Sequence, residues 1–239
     1  MKAKSIIFLI FVICLFAAKA QKETTLNLPK FDQRRTHFGF IIGINAADFV
    51  LHRKSPLDTK VDSLIDMYPK KTTGFNLGIV SALHFNRYLS LRFTPNLAFS
   101  QRDIYYEFRT LEGNLKYKKQ IESTLINFPL TIKFKSVRLN NFSAYLIGGG
   151  AYSLDLASNE GTDNFATLPK DIIVKIAKND YMAEVGFGTD FYLEYFKFGI
   201  EIKMSYGLKD ILIRENNQFS NPIEELKSKM FLLSFTFEG

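Results

Sequence analysis

Residues 196–209 alternate without a break. Phe196, Phe198, Ile200, Ile202, Met204, Tyr206 and Leu208 take one side, and Lys197, Gly199, Glu201, Lys203, Ser205, Gly207 and Lys209 take the other. Successive side chains of a strand point to opposite faces, so a period of two sustained this long specifies a strand with one apolar and one polar face. The same period recurs in seven other stretches. Phe38, Phe40, Ile42 and Ile44 oppose His37, Gly39, Gly43 and Asn45; Phe75, Leu77, Ile79, Leu83 and Phe85 oppose Asn76, Gly78, Ala82 and His84. A third stretch runs from Leu89 to Ser100, a fourth from Ile126 to Phe134, a fifth from Phe142 to Asp155, a sixth from Tyr181 to Phe191 and the last from Phe231 to Glu238.

A soluble sandwich and a membrane barrel both alternate; they differ in which face meets water. Three features favour the membrane. First, the connections alternate long (about 47–72, 103–120, 157–179, 210–227) and short (near Asn86-Arg87-Tyr88, 136–141, Glu194-Tyr195), as in barrels with short periplasmic turns and long outer loops. Second, Arg92, Lys133, Glu184, Asp190, Lys197, Glu201 and Lys203 would converge on one interior, where a dry sandwich core would bear a large desolvation cost. Third, Phe38, Phe85, Tyr88, Phe134, Tyr145, Tyr192, Tyr195 and Phe196 cluster at strand ends, where membrane barrels carry aromatic girdles. The expectation is an all-β, eight-stranded antiparallel up-and-down transmembrane β-barrel of the outer-membrane type. Side chains fill the interior of a barrel of that size, which argues for an anchor, a scaffold or a narrow ligand site over a diffusion pore.

The N-terminus agrees with export. Lys2 and Lys4 precede an apolar run from Ser5 to Phe16, and Ala18-Lys19-Ala20 supplies small residues for cleavage, so residues 1–20 read as a secretory signal peptide. Cys14, the only cysteine, follows Ile13 where lipoprotein processing wants a small residue. Losing Lys2, Lys4 and Lys19 takes the net charge from +7 to +4, with no basic helix or dense Lys/Arg block, so nucleic acid is not an expected partner. Residues 21–36 read as a periplasmic leader and 37–239 as the barrel. In the leader, Leu28, Pro29, Phe31 and Asp32 are candidates for a periplasmic docking segment, with a loose tether as the alternative.

The chemical motifs are sparse. Gly148-Gly149-Gly150 has no helix after it and so lacks phosphate-cradle geometry. His37, His52 and His84 have no metal-ligand spacing, and no serine sits in a nucleophile-elbow motif. No enzyme, metal or cofactor is expected. Arg92, Glu184, Asp190, Lys197, Glu201 and Lys203 are expected to form a lumen ion network.

Several segments carry a resemblance. L-N-L-P-K-F-D-Q-R-R-T-H-F-G-F at Leu26 to Phe40 and L-R-F-T-P-N-L-A-F-S-Q-R at Leu91 to Arg102 resemble the PorT (SprT) family, as do I-E-S-T-L-I-N-F-P-L at Ile121 to Leu130, Y-L-I-G-G-G at Tyr145 to Gly150, E-V-G-F-G-T-D-F-Y at Glu184 to Tyr192 and F-K-F-G-I-E-I-K at Phe196 to Lys203. The resemblance implies an outer-membrane accessory barrel of type IX protein secretion and of the gliding motility tied to it. Its partners would be outer-membrane lipid, other secretion components and, as a further candidate, cargo with C-terminal sorting domains. It carries over no catalytic residue. The alternatives are a stand-alone, porin-like small barrel that binds or passes a solute, an outer-membrane enzyme, and a soluble periplasmic barrel.

Overall fold

The computed structural model describes residues 25–55, 63–111, 113–162 and 168–239. The signal peptide read at 1–20 and the first residues of the leader lie outside them. Among the described residues nine strands follow in order: β1 (Thr36–Arg53), β2 (Leu64–His84), β3 (Leu89–Phe93), β4 (Asn96–Thr110), β5 (Gly113–Lys135), β6 (Phe142–Asp155), β7 (Asn179–Tyr192), β8 (Lys197–Gly207) and β9 (Ile223–Glu238). Each pairs antiparallel with its neighbours, and β1 pairs with both β2 and β9, so the sheet closes into a ring. Closure leaves no edge for backbone groups to face hydrocarbon unpaired.

The third stretch, read as one strand, is two. β3 and β4 share one barrel position, both lying between β2 and β5, and they are separated at Thr94-Pro95. Pro95 has no N–H to give the ladder. The ladder bridges the break through carbonyls instead: Ile79 N donates to Pro95 O (3.0 Å) and Thr94 N to Pro129 O (3.2 Å). Nine segments thus fill eight positions.

Two of the expected long connections are largely strand. β1 runs on to Arg53 and β2 starts at Leu64, while β4 and β5 extend to Thr110 and from Gly113, so the 103–120 link is mostly hairpin. The tight connections around 85–88, 136–141 and 193–196 gather at one end with residues 25–35; in outer-membrane barrels short turns of this kind face the periplasm.

Along the membrane segment the outer face is apolar and exposed: Phe38, Phe40, Ile42 and Ile44 on β1, Phe75, Leu77 and Ile79 on β2, Leu130, Ile132 and Phe134 on β5. Cross-strand aromatic pairs tie this belt, with Phe40 stacked on Phe237 (4.7 Å) and Phe75 on Phe99 (4.8 Å). Phe38, Phe85, Tyr88, Phe134 and Tyr195 face outward as a girdle would. Tyr145 and Tyr192 do not: both are buried, because their odd and even positions put them on the lumen faces of β6 and β7.

Beyond the belt the polarity inverts. The β1–β2 ladder ends at Ala47 and Thr72, and the sheet parts into two wings, β9–β1 and β2–β4–β5, which Arg53 spans by donating to Asp66 and the Met67 carbonyl. Between the wings lies a dry core of Phe49, Met67, Ile104, Tyr106, Phe108, Ile121, Ile223 and Leu226. Val174 and Ile176 enter it from the 156–178 connection, and Ile211, Leu212 and Phe219 from the 208–222 connection. The outward residues here, Lys116, Lys118, Gln120 and Glu122 on β5, are exposed and polar. This cap has the polarity of a water-soluble protein.

Candidate functional site at the lumen and its leader-covered mouth

The inward residues of β3, β5, β7, β8 and β9 meet in the lower lumen as a chain of ion pairs. Glu201 accepts from Arg92 (2.6 Å), and Arg92 lies 3.8 Å from Glu238. Lys197 pairs with Glu238 at 2.8 Å and approaches Asp190 at 3.8 Å; Lys133 closes the chain on Asp190 at 2.7 Å. Arg92, Lys133 and Lys197 thereby balance Glu201, Asp190 and Glu238, all buried. Buried charges of this kind persist only where each has a partner. Tyr145 joins them: its hydroxyl donates to Glu201 (3.0 Å), and the Lys133 ammonium sits 3.6 Å from the centre of its ring.

The network expected from sequence divides. Arg92, Asp190, Lys197 and Glu201 belong to the lower chain. Glu184 and Lys203 form a separate pair at 2.8 Å, to which Ser205 adds a hydrogen bond of 2.9 Å. Glu238 and Lys133 complete the lower chain, and the alternation that put both on polar faces was the signal for them. The space left beside Arg92, Lys133 and Asp190 is about 10 Å³, room for about one water. A second void of the same size lies above, beside Arg102, Asp155 and Asp180.

The leader closes the lumen from below. Phe31 is buried; its ring stacks on His37 (3.8 Å, 11° between planes), meets Tyr192 edge-on at 6.0 Å and has the Lys197 ammonium 4.8 Å from its centre. Asp32 accepts from Lys135 and from the Tyr192 hydroxyl (3.0 Å). Burial pushes the Asp32 carboxyl up, and the Lys135 ammonium and the Tyr192 hydroxyl pull it down further, leaving it below its ordinary value of 3.8. Arg138 holds the backbone by donating to the Asn27 and Leu28 carbonyls, while its guanidinium lies 3.7 Å from the centre of the Tyr192 ring. Asn141 accepts from Asn27 N (2.9 Å) and donates to Thr25 O (3.0 Å).

Of the candidate docking residues, Phe31 and Asp32 therefore face the chain's own barrel. Leu28 is half-buried with φ of 47°, and Pro29 is exposed. A bend at Leu28 turns Phe31 inward, and nothing in the spacing of the leader signals that bend. Of the histidines, His37 and His84 meet ring edge to face at 4.8 Å, while His52 pairs with Glu225 on the cap (3.3 Å).

A closed lumen of paired charges, an apolar outer belt and short turns at one end describe a membrane barrel with no open passage through the described residues. Among solved structures the chain is similar to the outer membrane protein OprG from Pseudomonas aeruginosa (16% identity, 87% of this chain and 98% of that one, TM-score 0.44). It is also similar to Ail, the attachment invasion locus protein of Yersinia pestis (14% identity, 86% and 100% covered, TM-score 0.38), and to the outer membrane protein AlkL (11% identity, 92% and 94% covered, TM-score 0.39). No curated protein matches the sequence. The outer membrane protein beta-barrel domain family matches residues 19–212. The chain belongs to that family and is a barrel of the outer membrane.

Proposed function

We propose that this chain is a non-enzymatic barrel that works through its two ends and does not conduct through its lumen. The observation that carries the reading is the lower lumen, where three cations and three carboxylates pair off around a void of about 10 Å³ and Phe31 closes the mouth. The finer proposal is that the barrel supports type IX protein secretion, and with it gliding motility, presenting its periplasmic face to other secretion components. That proposal rests on the PorT resemblance of the segments at Leu26 to Phe40 and Leu91 to Arg102. A clean deletion should leave sorting-domain cargo in the periplasm with the envelope intact. Normal surface export in that strain would refute the secretion role.

The second reading is a stand-alone small barrel that binds or passes a solute. Family membership, which reaches only to an outer-membrane barrel, suits this reading better than it suits the secretion role. It predicts unitary conductance steps in planar bilayers and a substrate-specific growth defect. The filled lumen predicts neither, so a bilayer recording of the purified chain separates the two.

A further inference from the structure

The lipid-facing surface is notched at its periplasmic rim. Phe134, Leu146 and Phe187 form a bulky row across β5, β6 and β7, in register with one another. The row below it is small: Ser136, whose N–H donates to Ala144 O (2.8 Å), then Ala144 paired with Thr189. The step from bulky to small leaves a hollow of about 480 Å³ on the outside of the barrel, just under the apolar belt. Ser136 also borders a second hollow of about 300 Å³, which reaches under the leader to Arg87, Lys135 and Arg138. Acyl-sized apolar space and a cationic rim thus meet at Ser136, which borders both.

The charge of that rim is one-sided. Arg87, exposed, and Arg138, half-buried, line the second hollow with Lys135, and the leader adds exposed Lys30, Arg34 and Arg35 at the same end of the barrel. Asp32 is already engaged by Lys135, which leaves Glu194 as the exposed carboxylate of the nearby turns. We propose that the notch and the adjoining hollow hold one anionic phospholipid of the periplasmic leaflet. An acyl chain lies against Phe134, Leu146 and Phe187, the Ser136 and Thr189 hydroxyls stand at the level of the glycerol esters, and the headgroup phosphate meets Arg87. The notch opens sideways from rows that face hydrocarbon, where a lipid is the neighbour at hand and a periplasmic peptide is not. Basic residues at a membrane surface attract anionic headgroups by about 1 kcal/mol each, or about fivefold in occupancy.

The test is native mass spectrometry of the full chain released from nanodiscs of phosphatidylethanolamine with a minor fraction of phosphatidylglycerol. The expected result is one retained lipid, enriched in phosphatidylglycerol over the bulk mixture. Ala144→Phe should abolish retention, and Thr189→Phe provides a second filling variant if the first fails to fold. Arg87→Gln should keep the lipid and lower the preference for phosphatidylglycerol by about fivefold. Retained lipid that mirrors the bulk composition, or that persists in a folded filling variant, would overturn the proposal.

Discussion

Asp190 is the point at which the closed lumen can be put to the test. Its carboxylate is fully buried, accepts two bonds from the Lys133 ammonium (2.7 and 3.0 Å) and lies 3.8 Å from Lys197. Asp190→Asn keeps the shape and removes the charge. Arg92, Lys133 and Lys197 would then face only Glu201 and Glu238, with one ammonium stranded. Removing one partner of a buried pair costs about 3–5 kcal/mol, because the other charge stays desolvated. The double variant with Lys133→Met removes the stranded ammonium as well and should recover much of that loss, giving a large favourable coupling energy. Urea unfolding in vesicles, followed by heat-modifiable gel migration, measures both numbers. A loss under about 1 kcal/mol with additive single effects is the behaviour of screened surface charges. That result would mean a wet lumen, would refute the closed-barrel reasoning and would return the solute-passing reading to first place.

Three further outcomes follow from the same geometry. Because Asp32 is held below its ordinary value of 3.8, its contribution to leader docking is complete above that pH and is lost as pH falls through the lower docked value. Protease access to the leader should rise in that acid window, and in Asp32→Asn the leader should be loosened at neutral pH with the acid step gone. Phe219→Ala should cost the cap about 3–5 kcal/mol, since Phe219 is fully buried among Tyr106, Phe108 and Tyr117. Cleavage of the 208–222 connection should increase while the barrel keeps its heat-modifiable migration. Gly188→Val should prevent normal assembly, because a Cβ there would stand 2.5 Å from Tyr145 and from the Ile200 carbonyl; unchanged folding yield would contradict the packing of Tyr145 on β7.

How far the sequence could be read is clearest on β5. From Ile126 to Phe134 the even positions are apolar and face lipid. From Lys116 to Glu122 the even positions are polar, and apolar Ile121 is odd and inward. The strand is continuous but its hydrophobic phase slips by one residue where it leaves the membrane. A period-two reading registers a phase slip as an end, which is why the upper hairpins were expected to be loops. The lower lumen was legible because the membrane keeps one phase: Arg92, Asp190, Lys197 and Glu201 are all buried and alternate with the outward-facing Phe93, Phe191, Phe198 and Ile202. For Tyr145 and Tyr192 parity outweighs residue type: both are aromatic residues near strand ends, but their positions in the alternation place them in the lumen and not in the girdle. The leader was legible only as a segment, since its fit depends on Arg138, Asn141 and Tyr192, all more than 100 residues away.

The cap gives the barrel a direction in time. Its apolar residues, from Phe49 on β1 to Leu226 on β9, come from strands that must cross the bilayer before they can meet, and Phe219 and Ile211 arrive on a connection between the last two strands. While crossing, those segments have no partner core. Once outside, they collapse together, and Lys119 ties the 168–172 segment over them by donating to the carbonyls of Pro169, Lys170 and Ile172. To withdraw, the chain would have to expose that whole core to water again. The cap thus acts as a knot tied on the far side of a cloth: assembly ends with it, and extraction must begin by undoing it.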